Sequence, residues 1–142
     1  MPNKKSQTKR IETVLTAAVE GMISKANNLQ PASSGLKSYI KDYLSYWVEH
    51  KKELEFHFLS MVRVIASPEL LDMYQNHTRR MIAFFEGLYI KGTHNGEFQG
   101  RDIKSSAVSL MAAIDGIIFN LVIGGILSLD DIELHFERQF IL

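Results

Sequence analysis

The stretch that decides the fold is residues 81–127, which read MIAFFEGLYIKGTHNGEFQGRDIKSSAVSLMAAIDGIIFNLVIGGIL. Its first part has the pattern of an amphipathic helix and ends at the turn Gly92-Thr-His-Asn-Gly-Glu-Phe98. The segment that follows is apolar on most of its helical faces and is centred on Ala113-Ile-Asp-Gly-Ile117. Because exposed apolar surface is unfavourable in water, this second helix must be covered on more than one side.

Outside this stretch the apolar residues also recur with a helical period, and no comparable run alternates with period two. One such stripe consists of Leu36, Ile40, Tyr43, Leu44 and Trp47. The pattern predicts helices over residues 5–27, 34–50, 52–66, 68–93 and 101–124, and a sixth from residue 130 to the end. The predicted fold class is therefore an all-α helical bundle of about six helices, in a single domain spanning residues 1–142.

Proline and polar residues mark the expected helix starts. Pro31 and Pro68 stand where a first helical turn tolerates a missing N–H. Ser67 is expected to cap the fourth predicted helix, and Asp130 or Asp131 the last one. Glycines accept left-handed backbone, so helix stops are expected at Gly92, Gly96, Gly124 and Gly125.

Composition excludes several classes of protein. The chain has 142 residues, 16 of them basic and 16 acidic, so its overall charge gives no reason to bind nucleic acid or an anionic membrane. With no cysteine it can form neither disulfides nor thiolate metal sites. Residues 2–10 are polar and basic with no apolar stretch after them, so we expect no signal peptide and a cytoplasmic location.

Residues 107–127 have about the length of a membrane span, but they contain Ser109, Asp115 and Asn120. A carboxylate near the centre of a span costs about 2.5 to 3.5 kcal/mol on insertion scales. No cluster of Lys or Arg flanks the segment. We therefore interpret it as a buried helix of a soluble protein and expect no membrane partner.

No motif of catalysis, phosphate binding or dinucleotide binding is present, so we predict neither an enzyme nor a cofactor. The five histidines, at positions 50, 57, 77, 94 and 135, lack the spacing of a metal-ligand pair, and no metal site is predicted. A bundle enzyme with converging carboxylates remains a third alternative. Its candidates, which have the spacing of solvated surface charge, are Glu53, Glu55, Glu69 and Asp72.

Three motifs in order carry a family resemblance: Arg80-Met-Ile-Ala-Phe-Phe-Glu-Gly87, Asn95-Gly-Glu-Phe98 and Ala112-Ala-Ile-Asp-Gly116. Over about residues 33–140 the chain resembles the regulatory domain of the tetracycline-repressor (TetR) family of transcription regulators. In that family a Gly-Glu-Phe turn commonly precedes the helix that carries Ala-x-x-Asp-Gly, and that helix helps to form the dimer.

Family members begin with a helix-turn-helix head, followed by a Tyr-Phe-x-Asn/Ser-Lys segment. Here Met1-Pro-Asn-Lys-Lys5 resembles only the tail of that segment. The resemblance implies that residues 1–30 form a peripheral helix that would connect to a DNA-binding head absent from this chain, and that DNA is bound only through such a head. The basic residues at 4, 5, 9 and 10 are interpreted as a solvated helix end.

The resemblance also implies a homodimer, in which the last two helices of each subunit form a four-helix interface. On the apolar helix we expect the face of Met111, Ile114 and Ile118 to point inward and the opposite face to meet the partner. A monomeric bundle with a central apolar helix is the alternative. The predicted interface residues are Ala112, Gly116, Phe119, Asn120, Ile123, Ile132, Phe136 and Phe140.

A cavity for a small, largely apolar effector is the other expectation, because aromatic and thioether side chains are abundant in the middle helices. Its predicted lining is Tyr43, Trp47, Phe58, Met61, Met81, Phe85, Met111, Ile114 and Asp115, although any one of these can equally be plain core. For Asp115 the alternative is a hydrogen bond or salt bridge between helices, and Asn120 is a candidate for a bond across the dimer axis.

These patterns together predict the effector-sensing and dimerisation domain of a TetR-type regulator, whose ligand controls the spacing of DNA-binding heads. The rival interpretation is a helical homodimeric interaction protein without an effector.

Overall fold

The structure is a computed structural model that describes residues 4–98, 100–124 and 127–142, with side chains described from Gln7 onward. Its described residues form an all-α bundle without a strand, which confirms the predicted fold class. The elements are α1 (Lys4–Val19), α2 (Met22–Asn28), α3 (Ala32–Glu49), α4 (Lys51–Arg63), a 3-10 turn (Val64–Ala66), α5 (Pro68–His94), α6 (Ile103–Val122), α7 (Leu129–Phe136) and a π-helical turn (Glu137–Ile141).

The first predicted helix is in fact two helices. Gly21 has a φ of 79°, in the left-handed region, so α1 ends before it and α2 starts after it. α2 packs so closely on α3 that a Cβ added to Gly35 would collide with the Ala26 carbonyl. α1 buries Ile11, Leu15 and neighbouring apolar residues before the break, and α2 buries Ala26 after it.

The caps agree with the sequence at α5 and differ at α7. The Ser67 side chain accepts a hydrogen bond from the Leu70 amide at the start of α5, as predicted. At α7 the cap is Ser128, so the prediction of Asp130 or Asp131 as the cap was wrong. Both aspartates lie in the first helical turn, where a negative charge interacts favourably with the helix dipole and stabilises the helix without capping it.

Of the predicted helix stops, Gly96 and Gly124 have positive φ values of 79° and 94° and follow α5 and α6. Gly92 lies within α5. Gly125 and residues 1–3 lie outside the described residues, and so do the predictions that fall on them.

The turn after α5 fastens three helices together. The Glu97 carboxylate accepts hydrogen bonds from the Ala32 and Ser33 amides, at 3.2 and 2.9 Å, and so caps the start of α3 from 65 and 64 residues away. The Phe98 ring fills the space where Gly92 lacks a side chain, and a Cβ on Gly92 would collide with that ring. The Phe98 ring also meets the Tyr89 ring edge-on at 5.1 Å.

The C-terminal end returns to the same corner. The Tyr89 hydroxyl donates to the Phe140 carbonyl at 2.8 Å. The Arg101 guanidinium donates to the carbonyls of Gln139 and Leu142, at 3.0 and 2.8 Å. The residues just before α6 therefore hold the end of the chain against the end of α5.

Replacing Glu97 with Ala should lower the free energy of unfolding by about 1 to 2 kcal/mol, because two amides at the start of α3 lose their acceptor. Glu97→Gln should lose less, since its carbonyl oxygen still accepts one hydrogen bond. Urea unfolding at pH 7 measures both values. The control is Glu55→Ala, which changes an exposed glutamate of α4, and equal stability of the Glu97→Ala and Glu55→Ala variants would contradict the clamp.

The contribution of Glu97 should also depend on pH. Partial burial alone would raise the pKa of Glu97, but the hydrogen bonds from Ser33 and Ala32 hold it below its ordinary value of 4.5. Because the folded pKa is lower than the unfolded one, this contribution is complete above 4.5 and is lost as the pH falls through the folded pKa. The difference between wild type and Glu97→Gln should therefore shrink in acid.

Candidate ligand site and dimer interface

A continuous row of aromatic rings runs through the interior from α3 to α5. The ring centroids are 5.4 Å apart for Tyr39 and Tyr43, 5.9 Å for Tyr43 and Trp47, 5.1 Å for Trp47 and His57, and 5.8 Å for His57 and Tyr74. We call these five residues the aromatic row. The first three are spaced four apart on α3 and therefore share one face of that helix.

His57 and Tyr74 close the row with hydrogen bonds. The Tyr74 hydroxyl donates to the His57 carbonyl at 3.2 Å and lies 2.8 Å from the His57 Nδ1 atom. Because the Tyr74 hydroxyl proton is used in the hydrogen bond to the His57 carbonyl, the His57 Nδ1 atom carries the imidazole proton and donates to the Tyr74 oxygen. Burial, with a smaller effect of the His77 charge, lowers the pKa of His57 to about 4, so the ring is neutral near pH 7.

The Asp115 charge of α6 acts on the tyrosines of this row. Burial raises the pKa of its carboxyl to about 6. The phenol pKa values of Tyr39, Tyr43 and Tyr74 are raised mainly by burial, and the Asp115 charge raises each of them further. No hydrogen bond or ion pair connects the carboxylate to another described residue, so the helix-to-helix bond that was the alternative for Asp115 is not seen there.

Two side-chain nitrogens are buried without a partner among the described residues: the indole N–H of Trp47, in the row, and the amide nitrogen of Asn120, on α6. The Trp47 N–H lies close enough to the Tyr43 hydroxyl to oppose part of the rise in its pKa, but it does not reach hydrogen-bonding geometry. A buried donor left without an acceptor costs about 1 to 3 kcal/mol. Such groups are therefore candidates for contact with a ligand.

The structure brings most of the predicted ligand residues to the interior. Tyr43 and Trp47 belong to the aromatic row, and Phe58, Met61 and Asp115 are partly buried. Fully within the core lie Met81, Phe85, Met111 and Ile114. That these residues bind a ligand remains a prediction.

The predicted lining contains Tyr43 and Trp47 of the row but not Tyr39, His57 and Tyr74. Tyr39 stands one turn before Tyr43 and contacts Phe85 edge-on at 5.5 Å. Tyr74 lies seven residues before Met81 on α5, which is two helical turns. The helical period therefore predicts that the two residues share a face, and it could have identified Tyr74.

The inner face of α6 is the predicted one. Met111, Ile114 and Ile118 are 6%, 2% and 0% exposed, which confirms that this face points inward. The opposite side carries an exposed apolar stripe, which we call the outer stripe. It consists of Val108, Ala112, Gly116, Phe119 and Ile123.

The outer stripe is unusual for the surface of a lone chain. Phe119 and Ile123 are 54% and 52% exposed. At its centre, a Cβ added to Gly116 would meet no atom within 4 Å, so nothing in the chain itself requires glycine there. Glycine inside a helix costs about 1 kcal/mol relative to alanine. Both observations fit a surface that another helix approaches closely.

Two of the predicted interface residues face their own core. Ile132 and Phe136 on α7 are 1% and 2% exposed and belong to the hydrophobic core, so the prediction that they meet a partner was wrong. Their stripe attaches α7 to the bundle. Phe140 packs against that core as well, while the Asn120 amide is buried at the edge of the outer stripe.

The candidate ligand site and the outer stripe touch through one ring contact. Phe58 of α4 and Phe119 of α6 have ring centroids 5.7 Å apart. Asp115 and Gly116 are consecutive residues whose side-chain directions differ by about 100° around the helix. A displacement of α6 therefore moves both Asp115 and the outer stripe.

Open surface cavities lie elsewhere. One of about 220 Å³ separates α3 from α7 and contains the Lys37–Glu137 salt bridge of 3.4 Å. Another, of about 530 Å³, surrounds the break at Gly21. A salt bridge crosses the first cavity, and the second cavity is open to solvent. Neither cavity is lined by aromatic rings as the row is.

Within the described residues, α6 is the one helix that is long and apolar enough to cross a membrane, and 28% of its most apolar window is buried. One such helix is weak evidence for a membrane protein, because a helix covered by other protein passes the same test. No group of three His, Asp or Glu residues that could hold a metal ion occurs in the part of the chain that the structure describes.

Comparison of the chain with family models, with curated proteins and with solved structures gave no match.

Replacing Asp115 with Asn should stabilise the folded protein at pH 8 by about 1 to 3 kcal/mol, because the folded state then no longer buries an unpaired charge. Burial raises the pKa of Asp115 from 3.8 to about 6, so the folded state holds the proton more tightly than the unfolded state does. Wild-type stability from this residue therefore falls as the pH rises from about 4 to about 6 and stays low above that.

Urea unfolding at pH 4 and pH 8 measures this difference. The advantage of Asp115→Asn should be present at pH 8 and nearly absent at pH 4. The exposed Asp72→Asn control should differ little from wild type at either pH. A destabilised Asp115→Asn variant at pH 8 would show that the carboxylate has a partner.

Proposed function

We propose that this chain is the effector-sensing and dimerisation domain of a TetR-type transcription regulator. Two subunits pair through the outer stripe of α6, and a small, largely apolar effector binds along the aromatic row. The observation that carries the proposal is the division of α6 into an inner face buried in its own core and an exposed apolar stripe, with the unpaired Asp115 carboxylate at the edge of that stripe. The domain acts in the cytoplasm, has no catalytic role and contacts DNA only through heads outside this chain.

Dimerisation is supported by the composition of the outer stripe. Its two smallest residues, Ala112 and Gly116, are exposed at the centre, and larger apolar side chains lie at both ends. Around a two-fold axis, such a stripe meets its own copy, so that small residues allow close approach while the flanking residues pack around them. Because α7 uses its apolar stripe for its own core, α6 supplies the centre of the proposed interface.

Sensing is supported by the position of the row beside the same helix. An effector that contacts Asp115 acts on α6, and the Phe58–Phe119 contact connects α4 to the outer stripe. Binding then favours one arrangement of the two subunits and so one spacing of the attached DNA-binding heads. The shift cannot exceed the difference in effector affinity between the two arrangements.

A homodimeric interaction protein without an effector is the second candidate. It is favoured by the direct contacts within the row, whose neighbouring ring centroids are all less than 6 Å apart and leave the rings packed on one another. An effector that binds there has to part these rings, whereas a pure interaction protein leaves them in contact. Ligand binding at the row separates the two candidates.

The dimer is tested by a matched pair of glycine substitutions. Gly116 in α6 and Gly87 in α5 both lie within helices, and neither would bring an added Cβ within 4 Å of another atom. Both positions are exposed in a lone chain, and leucine favours a helix more than glycine does. Gly116→Leu should weaken the dimer about tenfold or more by separating the outer stripes, while Gly87→Leu should leave it unchanged.

Sedimentation equilibrium at 1 to 50 micromolar protein, on the order of ordinary dimer affinities, measures both dissociation constants. Circular dichroism checks that helix content is retained. A wild-type chain that stays monomeric over this range, or a Gly116→Leu variant that dimerises like wild type, would contradict the proposed interface.

A further inference from the structure

A second exposed apolar surface lies on α4. Leu59 and Val62 of this helix are 49% and 60% exposed, and Ile65, in the 3-10 turn that follows it, is 97% exposed. The three residues are spaced three apart, so they follow one side of the helix and of its continuation. We call them the α4 ridge. One exposed apolar side chain is ordinary on a protein surface, whereas three successive ones form a patch.

The α4 ridge is continuous with the outer stripe of α6. Phe58 precedes Leu59 in the chain and lies one helical turn before Val62, so Phe58 and Val62 share a side of α4. The ring centroid of Phe58 is 5.7 Å from that of Phe119 in the outer stripe. Phe58 is partly buried against the core, while Phe119 and the ridge stay exposed. A partner that covers Phe119 therefore also reaches the side of α4 that carries Val62.

The outer stripe alone is small for a stable dimer. A large apolar residue offers about 150 to 200 Å² when it is fully exposed, so the five residues of the stripe leave roughly 350 Å² open. Each subunit of a stable dimer buries about 800 Å². The exposed fractions of the α4 ridge add about as much area again as the stripe supplies. Together they expose roughly 700 Å², whereas the largest apolar patch on a typical monomer is about 300 to 600 Å².

We propose that the α4 ridge is the outer part of the dimer interface, so that the second copy of this chain that pairs with α6 also covers Leu59, Val62 and Ile65. This inference rests on the dimer proposed above and specifies which further helix takes part in it. The exposed Glu55 and Arg63 side chains lie on α4 beside the ridge and form a polar rim. With the ridge included, the apolar area approaches what a stable dimer buries.

The chemistry of this surface suits a second copy of the chain better than a membrane. The charges that flank the ridge are of both signs, and the whole chain carries no net charge, so an anionic lipid surface is not attracted to it. A surface that is apolar at the centre and carries charges of both signs at its rim can meet its own copy without repulsion.

The first test is a matched pair of exposed apolar residues. Val62→Lys should raise the dissociation constant of the dimer about tenfold or more, because the ammonium group would have to be buried against the second copy. Ile90→Lys is the control, since Ile90 is 53% exposed on α5 and belongs to neither apolar surface. It should leave the dissociation constant unchanged. Sedimentation equilibrium of the full chain measures both values, and circular dichroism checks that both variants keep their helix content.

The second test measures whether the ridge is covered in the dimer. The chain has no cysteine, so Val62→Cys introduces a single thiol whose reaction with excess neutral maleimide depends on its exposure. The reaction is followed at protein concentrations about tenfold above and about tenfold below the dissociation constant. The thiol should react about threefold or more slowly at the higher concentration. The thiol of Ile90→Cys should react at the same rate at both.

The outcomes separate the α4 ridge from the dimer itself. If the wild-type chain dimerises but Val62→Lys does not weaken the dimer, or the Val62→Cys thiol reacts equally fast at both concentrations, the ridge lies outside the interface. The dimer through α6 then stands, and the ridge is free for a different partner. A wild-type chain that stays monomeric up to about 50 micromolar overturns both the ridge and the dimer.

Discussion

The hydrogen bonds from the first amides of α3 to the Glu97 carboxylate are the contact on which the rest of the bundle depends. α6 is joined to α5 by a short turn, which decides where α6 begins relative to the other helices. Glu97 fixes the turn to α3, and Phe98 fixes it to α5 in the space left by Gly92. The two anchors together therefore set the corner from which α6 starts.

The same corner sets the position of the rings on α3. The rings of Tyr39, Tyr43 and Trp47 begin two turns after the capped end of α3, so a shift of that end moves the rings along the helix axis. Asp115 lies about three and a half turns after the Asp102 cap of α6, and its charge acts on Tyr39 and Tyr43. That a carboxylate of α6 is within electrostatic range of rings on α3 is a tertiary property, which no local propensity provides.

Much of the fold could be predicted from the sequence, because a helical period identifies both the class and the inward face of a long helix. Met111, Ile114 and Ile118 show this for α6. The period does not say what covers a face: the stripe of Ile132 and Phe136 was assigned to a partner, yet it attaches α7 to its own chain. The break at Gly21 was missed because a single glycine is tolerated inside a helix and only its positive φ reveals the end.

The candidate site could be predicted in kind but not in detail. Aromatic abundance indicated an apolar interior, and Asp115 drew attention as a charged residue in an apolar run. The continuity of the row arises from helix packing and has no signature along the chain, because His57 of α4 stacks on Trp47 of α3 and Tyr74 of α5 stacks on His57.

Under the proposed function one helix serves both roles, and the position of Asp115 explains how. Its carboxylate has no partner among the described residues, so an effector that contacts it stabilises only the arrangement in which it reaches the carboxylate. Around the helix axis Asp115 lies about 20° from Val108 and about 40° from Phe119, at the edge of the outer stripe. Gly116, the next residue, faces outward with open space around it. Because a helix moves nearly as a rigid body, a shift of α6 toward an effector moves the outer stripe by a similar amount. A contact at Asp115 therefore changes the packing of the proposed interface without a separate pathway between the two sites.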